Sequence, residues 1–153
     1  MFPLTRRADY AVRIMLELGD KAENGQRVPA TQVAQEADIP LAFLRKIVVD
    51  LTRVGLVRTY SGPNGGLVLA QPAASINLVH ILEAIDGPIC LNTCLVRPHE
   101  CPRDHICPVH GFLGRLQANL IQQLREVTLD KLVVEKRELE YQVGRSDFQI
   151  TLF

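Results

Sequence analysis

No stretch of the 153 residues is apolar over the length of a membrane span, so a transmembrane helix is not expected. Net charge is also missing: 17 Lys and Arg face 17 Asp and Glu. Bulk charge therefore gives no support for a polyanionic partner, and only local patterning can. No internal repeat or low-complexity tract occurs. No nucleophile stands beside a base, no phosphate-cradling loop is present and the acids form no constellation, so an enzyme is not expected. The opening residues, MFPLTRRADYAVRIMLELGD, mix charges with apolar residues and lack a small-residue cleavage site. They read as folded protein rather than a secretory signal, which points to the cytoplasm. With 47% hydrophobic residues, the chain is expected to be soluble and globular, one compact domain with an appendage.

What is present begins with a run of short helical patterns. Thr5 is a candidate N-cap, and Ala11, Ile14, Met15 and Leu18 follow the spacing of one helical face, predicting a helix over about 5–20. Asn24-Gly25 marks a break. ATQVAQEA predicts a short helix burying Val33, Ala34 and Ala37, and Pro40 opens a further one after a tight turn. That helix, LAFLRKIVVDLTRV, sets Leu41, Leu44, Val48 and Leu51 on one face and Ala42, Arg45, Lys46, Val49 and Arg53 on the other. Gly55 stands where a left-handed cap is expected.

GLVRTYSGPNGGLVLA then reads as a β-hairpin with a glycine-rich tip. INLVHILEAIDG predicts another helix, with Leu78, Ile81, Leu82 and Ile85 inward and Asp86-Gly87 ending it. An irregular segment with prolines at 98, 102 and 108 leads into GFLGRLQANLIQQLREV. There Leu113, Leu116, Leu120, Leu124 and Val127 form a narrow stripe suited to a partner helix. TLDKLV restarts a helix with Thr128 as its cap, and the tail that follows carries only weak signals.

Two features carry chemistry. The first is the order helix, turn, helix, hairpin. A helix with a core stripe on one side and small or basic residues on the other, entered through a tight turn, has the geometry of a recognition helix in the DNA major groove. Arg45 and Lys46 suit base edges or phosphates, and Ala42 and Phe43 suit a thymine methyl. The hairpin would act as a wing, with the glycine amides and Asn64 against the DNA backbone or minor groove. Residues 1–60 hold nine Lys and Arg against seven Asp and Glu, so the face matters more than the sum. The plain alternative is a three-helix domain with a solvated basic face; the glycine-tipped hairpin at this position favours DNA.

The second is CLVRPHECPRDHICPVH, residues 94–110, with three cysteines, three histidines and three prolines. In a reducing compartment such cysteines are metal ligands or redox thiols rather than a disulfide framework. Six and five residues separate Cys94, Cys101 and Cys107, wider than the Cys-x2-Cys knuckle of usual structural zinc sites. Iron-sulfur clusters accept such thiolates, with histidine sometimes replacing one. His110 lies about one helical turn after Cys107, and its ligand and partly exposed readings stand equal on spacing alone. His99 and His105 are expected to be exposed, and Cys90 to be a small buried hydrophobe. Asp9, in the first turn of the first helix, is explained by the helix dipole and an i, i+4 pair with Arg13.

Taken together, LTRRADYAVRIMLEL, IPLAFLRKIVVDLTRVGLVRTYSGPNGGLVLA, the three-cysteine loop and VTLDKLV resemble the Rrf-two family of bacterial winged-helix transcription regulators over about residues 1–135. The resemblance implies a homodimer bridged by the long helix, here about 109–127, with two winged helix-turn-helix units reading a palindromic operator in double-stranded DNA. Cys94, Cys101 and Cys107 match the family's three cluster-binding cysteines. The fourth ligand divides the family. His110 in CPVH matches the histidine of IscR-like members with a 2Fe-2S cluster, whereas Asp9 matches the acid that NsrR-like members with a 4Fe-4S cluster supply from the other subunit. The wing departs from the family pattern, because Ser61 stands where an arginine commonly precedes the first glycine, Gly62. Arg58 is the nearby basic residue left open as a substitute. Cys90 has no counterpart in the three-cysteine pattern, which leaves a substitute ligand or a redox thiol open.

The expected fold class is mainly α, a winged helix-turn-helix DNA-binding domain with a long C-terminal dimerisation helix. The expected division is a DNA-binding domain at 1–87, a cluster-binding loop at 88–108, a dimerisation helix with a short following helix at 109–135, and an unassigned tail at 136–153. The expected function is a transcriptional repressor controlled by an iron-sulfur cluster that senses iron-sulfur status, nitric oxide or redox state. A cluster-free thiol switch and a zinc-stabilised protein-interaction module are the alternatives.

Overall fold

The computed structural model describes residues 4–22, 25–97 and 99–150, with side chains described up to 144. Asn24 of the expected break, Pro98 of the cysteine loop and the last three residues of the tail lie outside the described residues. Helix α1 (Arg6–Lys21) starts where Thr5 accepts a hydrogen bond from the Ala8 N–H at 3.1 Å, the expected cap. The Thr5 hydroxyl also donates to the Asp86 carboxylate at 2.8 Å, tying this start to a later helix end. Ala11, Ile14, Met15 and Leu18 are buried, so the apolar face of α1 is the one its spacing predicts.

Helix α2 (Ala30–Glu36) and helix α3 (Leu41–Arg53) meet at a turn in which Asp38 takes a φ of 54°, a conformation that aspartate tolerates better than most residues. Pro40 caps α3 at its start. At its end the Leu56 N–H reaches Leu51 O and the Gly55 N–H reaches Thr52 O, with Gly55 at φ 76°. This paired geometry needs a left-handed residue, which glycine supplies without steric cost. Strands β1 (Val57–Tyr60) and β2 (Gly66–Leu69) pair antiparallel from Val57↔Leu69 to Tyr60↔Gly66. Val28 exchanges two backbone hydrogen bonds with Leu67, so β2 lies between β1 and the chain entering α2. A Cβ on Gly65 would stand 2.3 Å from the Tyr60 carbonyl, so the tip admits only glycine there.

Helix α4 (Leu78–Asp86) opens on a reciprocal cap between Asn77 and His80. It packs against α1, α3 and the next helix at once, which is why Val79 is buried while Leu78 and Ile85 are only half-buried. In α3, likewise, Ile47 is fully buried and Leu41 half-buried. Helix α5 (Pro108–Glu126) buries none of its residues. Leu113, Leu120, Leu124 and Val127 of the expected stripe are half-covered, and Leu116 is exposed along with Val109 and Phe112.

Helix α6 (Leu129–Ile150) is the largest departure. A short helix was expected near 128–135, followed by a tail without signals, yet the helix continues to Ile150. Its first turns dock on α1: Leu129 and Val133 are buried, each contributing roughly 1.5–3 kcal/mol by burial, and both press on Gly19. Charge continues the docking where apolar residues stop. Arg137 meets Asp20 at 2.5 Å, and Lys136 meets Glu17 at 3.4 Å and Asp20 at 3.8 Å. Hydrogen bonds from Leu78 N to Val127 O and from Leu129 N to Ile76 O fasten the α5–α6 corner beside the start of α4.

Candidate functional site

The outward face of α3 exposes Ala42, Phe43, Arg45, Lys46 and Val49. The Phe43 ring stands edge-on to Tyr10 at 6.3 Å and is held while still half in solvent. Ion pairing sorts the basic residues of this half of the chain. Arg7 and Arg53 converge on Asp50 at 2.6 and 3.0 Å, Arg13 meets Asp9 at 2.8 Å, and Lys21 pairs with Glu17 and Glu36. Arg6, Arg27, Arg45, Lys46 and Arg58 form no ion pair among the described residues.

On the hairpin, Arg58, Ser61, Gly62 and Asn64 are all exposed. Sequence reasoning passed over Arg27. Its guanidinium lies 3.8 Å from the centre of the Tyr60 ring, and one N–H donates to the Asn64 carbonyl at 3.3 Å. Nothing in the local pattern marks Arg27, because the register that brings it to the hairpin is made by its neighbour Val28.

The cysteine segment follows Gly87, which ends α4 at φ 77°. Two 3-10 turns, Thr93–Leu95 and Asp104–Ile106, fold it back on itself, and α5 opens with Pro108 at its first position, where the missing N–H costs nothing. Cys94, Cys101, Cys107 and His110 line one cavity of about 340 Å³, together with Asp104 and Glu100. Ligand atoms of Cys94, Asp104 and His110 lie within 4.8 Å of one another; Cys101 and Cys107 share the cavity outside that tight group. The four cysteines carry free thiols.

Asp104 was not singled out by the sequence, since one acid in a loop has no telling spacing. Its carboxylate, only 10% exposed, accepts from the His99 N–H at 3.1 Å and lies 3.6 Å from His110 Nδ1. That nitrogen is closed to solvent and has no hydrogen-bond partner among the described residues. Burial, the Asp104 carboxylate and the neighbouring Cys101 and Cys107 together push the Cys94 thiol above its ordinary pKa. No Lys or Arg lines the cavity among the described residues. Thiols, a carboxylate and an unsatisfied imidazole nitrogen crowded without a cation make a donor set suited to a bound metal group.

The remaining candidates lie elsewhere. The Cys90 thiol donates to Asn92 O at 2.7 Å and lines a separate depression with Pro88 and Val96; it is half-exposed rather than buried, because the chain past Gly87 runs over the surface. Asp9 keeps its pair with Arg13 and does not line the cavity. His99 and His105 are exposed, with rings 6.0 Å apart.

Comparison with known proteins adds a second line. The model of the Rrf2 family, described as iron-dependent transcriptional regulator, matches residues 4–135. The HTH-type transcriptional regulator NsrR of Oceanobacillus iheyensis is 28% identical over 137 residues, covering 89% of this chain and 92% of that protein. The HTH-type transcriptional regulator IscR of Pectobacterium carotovorum is 29% identical over 137 residues, covering 90% and 82%. Among solved structures, CymR of B. subtilis, described as its global cysteine regulator, matches with a TM-score of 0.71 at 24% identity, over 88% of this chain and 98% of that one. That likeness shows the winged-helix fold.

Proposed function

The chain belongs to the Rrf2 family of transcriptional regulators, and from that premise we propose that an iron-sulfur cluster held by Cys94, Cys101, Cys107 and His110 controls its binding to DNA. As a member of the family it is a DNA-binding regulator and not an enzyme. The finer reading is a homodimeric repressor on a palindromic operator. No described helix is long and apolar enough to cross a membrane.

One observation carries the cluster: the three cysteines and His110, scattered over 94–110, line a single cavity with no Lys or Arg among the described residues. His110 is favoured as fourth ligand because it lines the same cavity as the three cysteines within one chain, whereas Asp9 would have to come from a second copy. With histidine as fourth ligand, the 2Fe-2S form is the one proposed. Bound there, the cluster supplies a group that oxidants, nitric oxide or iron shortage can remove.

The chain's own residues convert occupancy into geometry. Cys94 belongs to the turn after α4, and His110 belongs to α5. Ligands on both elements tie α4, which packs on the DNA-reading helices, to α5, whose uncovered face suits a second copy. The Leu91 N–H bonded to Gln117 Oε1 at 2.9 Å is an existing tie across the same junction. A ligand that spans two elements favours one relative placement over another, the condition for a switch. With the site vacated, the tie that the ligands make between α4 and α5 is lost, and the loop is free to take another placement.

Anaerobic purification with iron and sulfide quantitation and visible spectroscopy tests the assignment. Wild type and Asp9→Ala should carry iron and sulfide in equal amounts, and His110→Ala should lose them. Stoichiometric zinc, or protein free of iron, would overturn it.

A further inference from the structure

The tip of the hairpin, Ser61 to Gly65, contains no charged side chain. Yet a charge is placed on it from elsewhere: the Arg27 guanidinium, stacked on Tyr60 and bonded to the Asn64 carbonyl. We propose that Arg27 is the wing's cation, a contact to the phosphate backbone of bound DNA supplied by the loop before α2 rather than by the hairpin. The inference rests on the DNA-binding reading and adds to it a residue that the hairpin sequence does not contain.

Three observations converge. The two backbone hydrogen bonds between Val28 and Leu67 form an isolated antiparallel bridge beside β2, so the neighbouring arginine has a fixed origin. Arg27 is exposed, with no acidic partner among the described residues, unlike Arg7, Arg13, Lys21 and Arg53, whose charges are answered by acids. Stacking over an aromatic ring holds the guanidinium plane while leaving most of its five N–H donors at the rim. Among the described residues one of them is spent, on Asn64. A planar fork held in place beforehand loses little freedom on meeting a phosphate, and its geometry matches the phosphate oxygens.

A brace that merely holds the hairpin would show the same contacts, so the test must separate charge from scaffold. Each phosphate contact releases counterions and contributes about 0.9 to the slope of log K against log salt concentration. Binding is measured by fluorescence anisotropy over a salt series, on mixed-sequence duplex DNA and on a duplex selected from a random library by the protein itself. Arg27→Ala should weaken both complexes by similar factors and lower the slope by roughly 1.8, about 0.9 for each protomer of the dimer. Arg27→Lys, which keeps the charge without the fork, should keep the slope. An unchanged slope in Arg27→Ala would overturn the assignment even if affinity fell, since that is the signature of a brace. Wild type with no salt-dependent affinity for either duplex would instead strike down the DNA reading on which the inference stands.

Discussion

His110 Nδ1 and a carboxylate oxygen of Asp104 stand 3.6 Å apart inside the cysteine cavity, with the nitrogen sealed from solvent and unbonded. A carboxylate beside a ligating imidazole orients the ring and raises its basicity, and losing such a partner typically weakens metal binding by about 10–100-fold. Asp104→Asn should therefore keep the fold while lowering iron retention by roughly that factor, read by competition with a chelator. His110→Ala should lower it further. Equal retention in Asp104→Asn and wild type would remove Asp104 from the site.

Helix α5 leaves Phe112 and Leu116 exposed at 56% and 46% and buries no residue. A long helix with an uncovered apolar face is the surface a second copy would bury. Leu116→Asp should turn a dimer into a monomer by light scattering, with helical content unchanged because Leu116 is exposed on a helix that buries none of its own residues. Binding to a two-half-site duplex should then fall to that of a single half-site.

Gly19 lies where α6 crosses α1, and a Cβ there would sit 2.9 Å from Val133 Cγ2 and 3.2 Å from Leu129 Cγ. Overpacking of this kind costs about 1–3 kcal/mol. Gly19→Val should lower Tm accordingly, and a second change, Val133→Ala, should recover part of the loss. Additive losses in the double variant would mean that the two positions do not press on each other.

Asp20 joins α1 to α6 through Arg137 and Lys136. Burial tends to raise its pKa, but the hydrogen bond and charge of Arg137 and the charge of Lys136 outweigh it and hold the carboxyl below its ordinary value. A depressed folded-state pKa stabilises above the unfolded value and ceases to do so as pH falls through the folded one. Asp20→Asn should be less stable than wild type at neutral pH, by less than about 1 kcal/mol for so open a pair. The gap should close in acid, below the ordinary aspartate range, when denaturation is followed against pH. A gap that stays constant into acid would show that ionisation of Asp20 contributes nothing.

The winged helix was legible because its boundaries are written in single residues with one physical meaning each: Thr5 as a cap, Pro40 at a helix start, Gly55 where φ must be positive. The cysteines and His110 were legible for the converse reason, as costly residue types gathered in one loop. Asp104 and Arg27 were not, because each acquires its role from a fold-back or a strand register made by other residues. The length of α6 was hidden because ion pairs to Glu17 and Asp20 replace the apolar stripe that marks a docked helix.

The DNA affinity of one anaerobic sample, measured before and after its iron is stripped by a chelator, tests cluster control most directly. A switch worth its typical 1–3 kcal/mol of coupling changes affinity by about 5–150-fold. Wild type should show a change of that size on the duplex it selects, and Cys101→Ser, unable to hold the cluster, should bind equally before and after stripping. Identical wild-type affinities in the two states would contradict cluster control outright.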